Sequence, residues 1–215
     1  MSTTRKQRAN GVVSRQKIIE AALEIASERG YEGTSISSVS ERSGLPASSI
    51  YWHFRNKDEL IAAVIRHSFD QWRGFVPIPT DGADPAGEEA FTAAMRRAGK
   101  AIDEAPDFLR LGLMLALERR PEEPAARAMF LAIRRATRDE LEAFHDRVFG
   151  DQLGEREVQT LGRLAMAAAD GLLIAREIDD DDTDLEQMME LFGVALSAVA
   201  EHLRDRLAER TARDD

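Results

Sequence analysis

The sequence predicts an all-α protein with an N-terminal three-helix domain that contains a helix-turn-helix, followed by a larger helical C-terminal domain. Two observations lead to this prediction. Apolar residues recur at i, i+3, i+4 and i+7 along most of the 215 residues, and no segment shows the alternation of a half-buried strand. Glycine and proline interrupt these periodic segments where helices should end. The predicted domains are residues 1–13, 14–60 and 61–215.

The first predicted helix begins at Ser14, which can act as an N-cap, and ends at Gly30. The segment before it is basic and free of acids, and it is too polar to fold alone. We therefore expect residues 1–13 to form a flexible arm that enters a minor groove of DNA through Arg5, Lys6 and Arg8. The alternative is a solvated tail.

A tight turn connects the next two predicted helices. Thr34 or Ser35 caps the second helix, which closes at Gly44, a residue that tolerates positive φ. Pro46 then fits the first turn of a third helix. This third helix has an inward face, formed by Ala47, Ile50, Tyr51 and Phe54, and an outward face, formed by Ser48, Ser49, Trp52 and His53.

The outward face contains hydroxyl, indole and imidazole groups but no carboxylate. Such groups can donate hydrogen bonds to phosphates or touch base edges in a major groove, as a recognition helix requires. Asn56 caps a fourth helix, with Glu59 placed as in a capping box, and this helix extends to about Phe75. Lys57 adds a cation at a helix start that already favours phosphate.

The stretch from about Ser14 to Val64 resembles the DNA-binding domain of the tetracycline-repressor (TetR-type) family of bacterial transcription regulators. The matching positions are Ala21, Ala22, Gly33, Thr34, Ser35, Gly44, Leu45, Ile50, Tyr51, His53, Phe54, Lys57 and Leu60. This resemblance implies phosphate contacts by Thr34 or Ser35, Tyr51, His53 and Lys57. It also implies that the residues nearest the bases are Pro46, Ala47, Ser48 and Ser49.

Two positions depart from the family pattern. Ser40 stands where alanine is usual, and Pro46 stands where serine is usual, so contacts to bases at the start of the third helix would be apolar. The operator sequence therefore stays open.

Charge is distributed unevenly along the chain. The whole sequence has a net charge of −10, yet residues 1–76 contain eleven Lys and Arg against eight Asp and Glu. Only this N-terminal end should tolerate a polyanion.

Composition and spacing exclude several other classes of protein. The absence of cysteine excludes disulfides and thiolate metal sites. We find no apolar stretch near twenty residues and no signal-like start, so we expect a soluble cytoplasmic protein with no membrane partner. The four histidines are scattered, and no metal, phosphate-loop or nucleophile motif occurs, so we expect neither an enzyme nor a cofactor.

Beyond a proline-rich break, helices are predicted at 88–104, 107–119, 123–149, 155–178 and 184–209. The last two carry an apolar seam suited to a four-helix bundle between two chains. Its members are Leu161, Leu164, Ala168, Leu172, Leu185, Met189, Phe192, Leu196, Val199 and Leu203. A homodimer would suit a palindromic operator, because helix-turn-helix proteins commonly bind paired half-sites. The alternative is that both helices simply close the monomer's own core.

The middle helices are rich in methionine and phenylalanine, which suit an irregular apolar cavity but also an ordinary core. The candidate pocket residues are Phe91, Met95, Phe108, Leu111, Met114, Leu115, Phe130, Ile133 and Asp170. The resemblance implies a regulator, most often a repressor, released from its operator by a small apolar or amphipathic effector. The alternatives are a DNA-binding interaction protein without a ligand switch, and a helical carrier or enzyme.

Overall fold

The computed structural model describes residues 2–75, 88–104, 107–118, 124–179 and 183–214, with the backbone alone described at residues 2–9, 75, 88, 89 and 214. All regular elements within these ranges are α-helices, which confirms the predicted all-α class. The helices are α1 (Ser2–Gly33), α2 (Ile36–Ser43), α3 (Ala47–His53), α4 (Lys57–Phe75), α5 (Glu88–Glu104), α6 (Asp107–Leu117), α7 (Ala125–Phe149), α8 (Glu155–Asp179) and α9 (Leu185–Asp214).

The chain divides into two compact units that differ from the predicted domains. The first unit combines Met1–Gln71 with Asp107–Ile133, and the second combines Trp72–Pro106 with Arg134–Asp215. The helix-turn-helix unit therefore also contains most of α4, all of α6 and the start of α7, beyond the predicted boundary after residue 60. Helices α4 and α7 both continue across the division.

The core of the first unit joins α1 to the helix-turn-helix. Its fully buried aliphatic residues include Ile18, Ile19, Ala22, Ile25, Val39, Ile50, Leu60, Ile61, Val64 and Ile65. Burial of each large aliphatic side chain contributes roughly 1.5–3 kcal/mol to stability. On the surface, Arg42 of α2 bridges to two carboxylates of α1, with Nη1 3.0 Å from Glu24 Oε2 and Nη2 3.1 Å from Glu28 Oε2. These contacts hold α2 against α1.

Helix α1 begins earlier than the sequence predicts. Ser14 is not an N-cap, because its hydroxyl donates to the Asn10 carbonyl at 2.9 Å, one turn back within a continuous helix. Alanine, lysine, arginine and glutamine in this segment are good helix formers, so the expectation of a flexible arm was wrong for its backbone. The prediction at Gly30 is confirmed, because its φ of 68° interrupts the helix there.

The second unit is built around α5, α8 and α9 together with the later part of α7. Helices α5 and α9 approach closely: a Cβ at Gly99 would lie 2.3 Å from the Leu185 carbonyl oxygen. Buried residues of this unit include Phe91, Met95, Phe144, Leu153, Val158, Leu161, Ala165, Met189, Leu196 and Ala200. The imidazole of His145 is also fully buried.

Among the described helices, α8 is long and apolar enough to cross a membrane, with a mean hydropathy of 1.2 over eighteen residues. This helix departs from the prediction that the sequence holds no apolar stretch near twenty residues. Helix α8 buries Leu161 and Leu173 within its own unit and exposes other faces. A core helix of a water-soluble domain meets the same two criteria of length and composition.

Candidate nucleic-acid interface

The turn between α2 and α3 is fixed by local hydrogen bonds. Gly44 adopts φ 67° and ψ 16°, a left-handed conformation that favours glycine, as predicted. Ser40, which departs from the usual alanine, donates its hydroxyl to the Leu45 carbonyl at 2.7 Å. Ser43 Oγ accepts from the Leu45 amide at 3.3 Å. The serine at position 40 therefore fastens α2 to the turn that sets the direction of α3.

Helix α3 buries one face and exposes the other. Ile50 is fully buried and Phe54, at the end of the helix, is nearly so. Tyr51 was expected to face inward, yet its side chain is 56% exposed, which leaves it accessible to a phosphate. Trp52 is 76% exposed, in agreement with its predicted place on the outward face.

The four residues predicted to lie nearest the bases surround the start of α3. Pro46 is the N-cap residue, and its ring has no polar atom that could cap the helix. Its carbonyl accepts from the Ser49 amide at 2.8 Å. Pro46 and Ser48 are exposed, whereas Ala47 and Ser49 are half-buried. Pro46 and Ser48 are thus the more accessible pair.

Of the two alternatives for a phosphate contact before α2, the structure favours Ser35. Thr34 is 1% exposed, and its hydroxyl donates to the Gly30 carbonyl at 2.9 Å, so it is not available to DNA. Ser35 is exposed and caps α2: its Oγ accepts from the Ser38 amide at 3.1 Å. Ser38 Oγ accepts in return from the Ser35 amide at 3.0 Å, which completes a capping box made of two serines.

His53 lies at the end of α3 in an environment that disfavours its charged form. Partial burial lowers the pKa of the imidazole, and the positive charge of Arg15 lowers it further. The ring makes an edge contact with Trp52, with centroids 4.5 Å apart. The neutral imidazole can still donate one hydrogen bond to a phosphate, and a bound phosphate would raise its pKa.

Lys57 already has partners within the protein. Its Nζ donates to the Tyr31 carbonyl at 3.1 Å, lies 4.1 Å from the centroid of the Tyr31 ring, and is 3.8 Å from Glu32 Oε2. A phosphate would share this ammonium with the end of α1. Asn56 caps α4 as predicted, accepting from the Glu59 amide at 2.8 Å. Glu59 reaches the Arg55 amide at 2.9 Å in place of the Asn56 amide expected for a capping box.

The predicted DNA arm falls partly outside the described residues. The side chains of Arg5, Lys6 and Arg8 are not among them, although the backbone there belongs to α1. Further along the helix, a Cβ at Gly11 would lie 3.7 Å from the Trp52 ring. The N-terminal part of α1 therefore runs beside the exposed face of α3.

The candidate pocket residues are divided between the two compact units. Phe108, Leu111, Met114, Leu115, Phe130 and Ile133 belong to the first unit, whereas Phe91, Met95 and Asp170 belong to the second. Most are fully buried core residues, but Met114 is exposed. Asp170 forms a bidentate ion pair with Arg134, at 2.7 and 2.6 Å. The ligand pocket composed of these nine residues therefore stays a prediction.

Part of the predicted dimer seam lies in the core of the second unit. Leu161, Leu185, Met189 and Leu196 are buried inside the second unit, and Leu172, Phe192, Val199 and Leu203 pack partly against the same core. Ala168 is half-buried, and Leu164 is exposed. Apart from Leu164, the large apolar residues that α8 and α9 expose to solvent lie outside the predicted seam. The exposed set is Leu164, Ile174, Ile178, Met188, Leu191 and Val194.

A grouping of His, Cys, Asp and Glu suited to a metal ion does not occur within the described ranges. The accessible chemistry near the helix-turn-helix is instead a set of hydroxyl, aromatic and imidazole groups on α3 and at the start of α2.

Comparison with known proteins gives matches to the helix-turn-helix part of the N-terminal unit. Residues 18–64 match the model for bacterial regulatory proteins of the tetR family. The negative transcriptional regulator IcaR of the biofilm operon icaADBC, from Staphylococcus epidermidis, is 31% identical over 62 residues, covering 29% of this chain and 34% of its own length. Matches to the first curated relatives span between 28% and 46% of their lengths.

Two solved structures resemble the chain over most of its length. AibR, solved in complex with isovaleryl coenzyme A and operator DNA, has a TM-score of 0.62 at 19% identity and covers 84% of this chain and 96% of its own. FadR from Bacillus subtilis, in complex with stearoyl-CoA, has a TM-score of 0.62 at 17% identity and covers 87% and 96%. These similarities establish the fold.

Proposed function

We propose that this chain, which belongs to the tetR family of bacterial regulatory proteins, regulates transcription by binding a specific operator through α3. The observation that carries the proposal is the exposed face of α3. It is free of carboxylates and presents Pro46, Ser48, Tyr51 and Trp52 to solvent, in a unit whose sequence is less acidic than the rest of the chain. Such a face can enter a major groove.

The experiment is selection of duplexes from a randomised pool at two salt concentrations, followed by sequencing. A two-fold symmetric motif supports a dimeric, sequence-specific regulator. Recovery without a motif favours the alternative of an interaction protein that binds DNA non-specifically. No recovery at either salt concentration favours a helical carrier or enzyme.

Two variants distinguish positioning contacts from base contacts. We expect Tyr51→Phe to weaken binding to all duplexes by the loss of one hydrogen bond to a phosphate. The slope of log K against log salt should stay unchanged, because the neutral hydroxyl displaces no counterion. Ser48→Ala should change the enriched motif instead. Identical motifs and affinities for both variants and the wild type would contradict the contact assignment.

We further propose that an amphipathic effector of the second unit releases the operator. Support comes from AibR and FadR, which share the fold and were solved with acyl-coenzyme A molecules. A typical coupling of about 1–3 kcal/mol would weaken operator binding roughly 5- to 150-fold. Titrating isovaleryl-CoA and stearoyl-CoA into the complex with the selected duplex tests this class of effector, and an unchanged affinity in both titrations argues against it.

The regulator is proposed to act in the cytoplasm as a homodimer. Support for the dimer comes from the solvent-facing apolar residues of α8 and α9, among which Leu191 is 58% and Val194 51% exposed. We expect Leu191→Asp to yield monomers in sedimentation. Leu117→Asp, at an exposed leucine of α6, is the matched control and should leave the dimer intact. A dimer that survives Leu191→Asp would refute an interface formed by these solvent-facing residues.

A further inference from the structure

Helix α7 begins at Ala125, and its N-terminal amides are capped by a side chain distant in the sequence. The Ala125 amide donates to Asp58 Oδ2 at 2.5 Å, and the Ala126 amide donates to Asp58 Oδ1 at 3.3 Å. The first amides of a helix have no partner within it, and a capping carboxylate accepts hydrogen bonds from them and interacts favourably with the positive end of the helix dipole. Pro124, which precedes the helix, has no side-chain acceptor. Asp58 therefore supplies the cap.

Asp58 lies in the segment that directly follows the recognition helix. On one side of it, Lys57 donates to the Tyr31 carbonyl at the end of α1. On the other side, Glu59 accepts from the Arg55 amide and donates its own amide to Asn56. Three consecutive side chains thus fix the start of α4 to α1, to α7 and to the loop that follows α3.

The first two turns of α7 extend the attachment made by Asp58. Arg66 of α4 donates to Met129 Sδ at 3.4 Å, and the side chains of Phe130 and Ile133 are buried within the same unit. Beyond Ile133 the helix continues without interruption into the second unit, where Arg134 pairs with Asp170. One continuous helix therefore begins at the DNA-binding module and belongs, over its later turns, to the other unit.

We propose that Asp58 is a positioning residue that couples α7 to the DNA-binding module. Because Asp58 holds the start of α7 to the segment after α3, the stability of the first turns of α7 depends on operator binding. Operator affinity depends on the state of α7 to the same degree, since coupling between two sites is reciprocal. The inference rests on the proposed function and names a route by which it is regulated. Asp58 itself contacts no DNA in this scheme.

Hydrogen exchange on the full chain, free and bound to the selected duplex, tests the proposal. We expect operator binding to slow exchange of the amides in 125–133 by about fivefold or more, the lower end of typical coupling between sites. In Asp58→Ala the same amides should change less than about twofold on binding. Asp70→Ala is the matched control, because it removes an exposed aspartate from the same helix. It should behave as the wild type.

Asp58→Asn keeps an oxygen acceptor and a good capping residue, so it retains the fold if the alanine variant does not. In Asp58→Asn, we expect operator binding to slow exchange of the amides in 125–133 by a factor between those of the wild type and of the alanine variant. The proposal is overturned if operator binding leaves α7 exchange unchanged in the wild type, or if both Asp58 variants retain the full effect while still binding DNA. Failure to select any duplex would instead remove the proposed function itself.

Discussion

A buried imidazole in α7 should govern part of the protein's stability to acid. His145 Nδ1 donates to the Leu141 carbonyl at 2.7 Å, and the ring lies among Phe91, Phe144 and Phe149, with centroids 5.5, 5.8 and 6.4 Å away. Within the described part of the chain, its Nε2 has no hydrogen-bond partner. Burial lowers the pKa of His145 from 6.5 to about 4, against a smaller raising effect of the Leu141 hydrogen bond.

The magnitude follows from proton linkage. Below pH 6.5 the unfolded chain binds a proton at this histidine while the folded chain does not, so the free energy of unfolding falls as the pH falls. The loss continues to the folded pKa of about 4 and then levels off. It amounts to about 2 kcal/mol at pH 5 and about 3 kcal/mol in full, a large part of a typical 5–15 kcal/mol.

Urea unfolding followed by circular dichroism between pH 5 and 7.5 measures this effect for the wild type and for His145→Leu. Contributions of other titrating groups cancel in the difference between the two proteins. We expect that difference to change by about 2 kcal/mol between pH 7.5 and pH 5, with the wild type losing more stability in acid. Parallel pH profiles for the two proteins would refute the assignment.

Three further predictions concern the first unit. Gly112→Ala should destabilise it by about 1–3 kcal/mol in thermal or urea unfolding, because the new Cβ would lie 2.0 Å from the fully buried ring of Phe130. The control Gly74→Ala meets no atom within 4 Å, and an equal loss there would contradict the steric argument. Ser35→Ala should cost about 1 kcal/mol of stability through loss of its cap, and no measurable change would show that the capping box contributes little. Operator binding should tighten as the pH falls below 6.5, because a phosphate would reverse the lowered pKa of His53; a pH dependence equal in His53→Gln would exclude this histidine.

Local signals in the sequence predicted much of the helix-turn-helix. Gly44, Ser35 and Asn56 each act within a few residues of their partners, so the chemistry of turns and caps identifies them without knowledge of the fold. The choice between Thr34 and Ser35 needed the structure. Both are good caps in sequence, and only packing shows that Thr34 is buried.

The sequence did not predict which face of a helix is buried when two of its faces are apolar. Along α9, the residues near Leu196 and those near Val194 both repeat at helical spacing, and the partner available to each face decides which is buried. Contacts with α5 bury Met189 and Leu196 and leave Leu191 and Val194 to solvent. The seven-residue repeat therefore predicted the helix. The residues that it assigned to the dimer interface, however, lie mostly on the face that packs inside the unit.

The segment Lys57–Asp58–Glu59 shows which contacts motif resemblance alone leaves out. Resemblance makes Lys57 a phosphate contact, but the structure also binds it to Tyr31, so substitution there would disturb the end of α1 as well as any DNA contact. Asp58 carries no signal in the sequence, because its partner amides lie 67 and 68 residues away. Substitution of the exposed Tyr51 is therefore a more specific test of DNA contact than substitution of Lys57. Substitution of Asp58 is the more specific test of coupling between the DNA-binding module and α7.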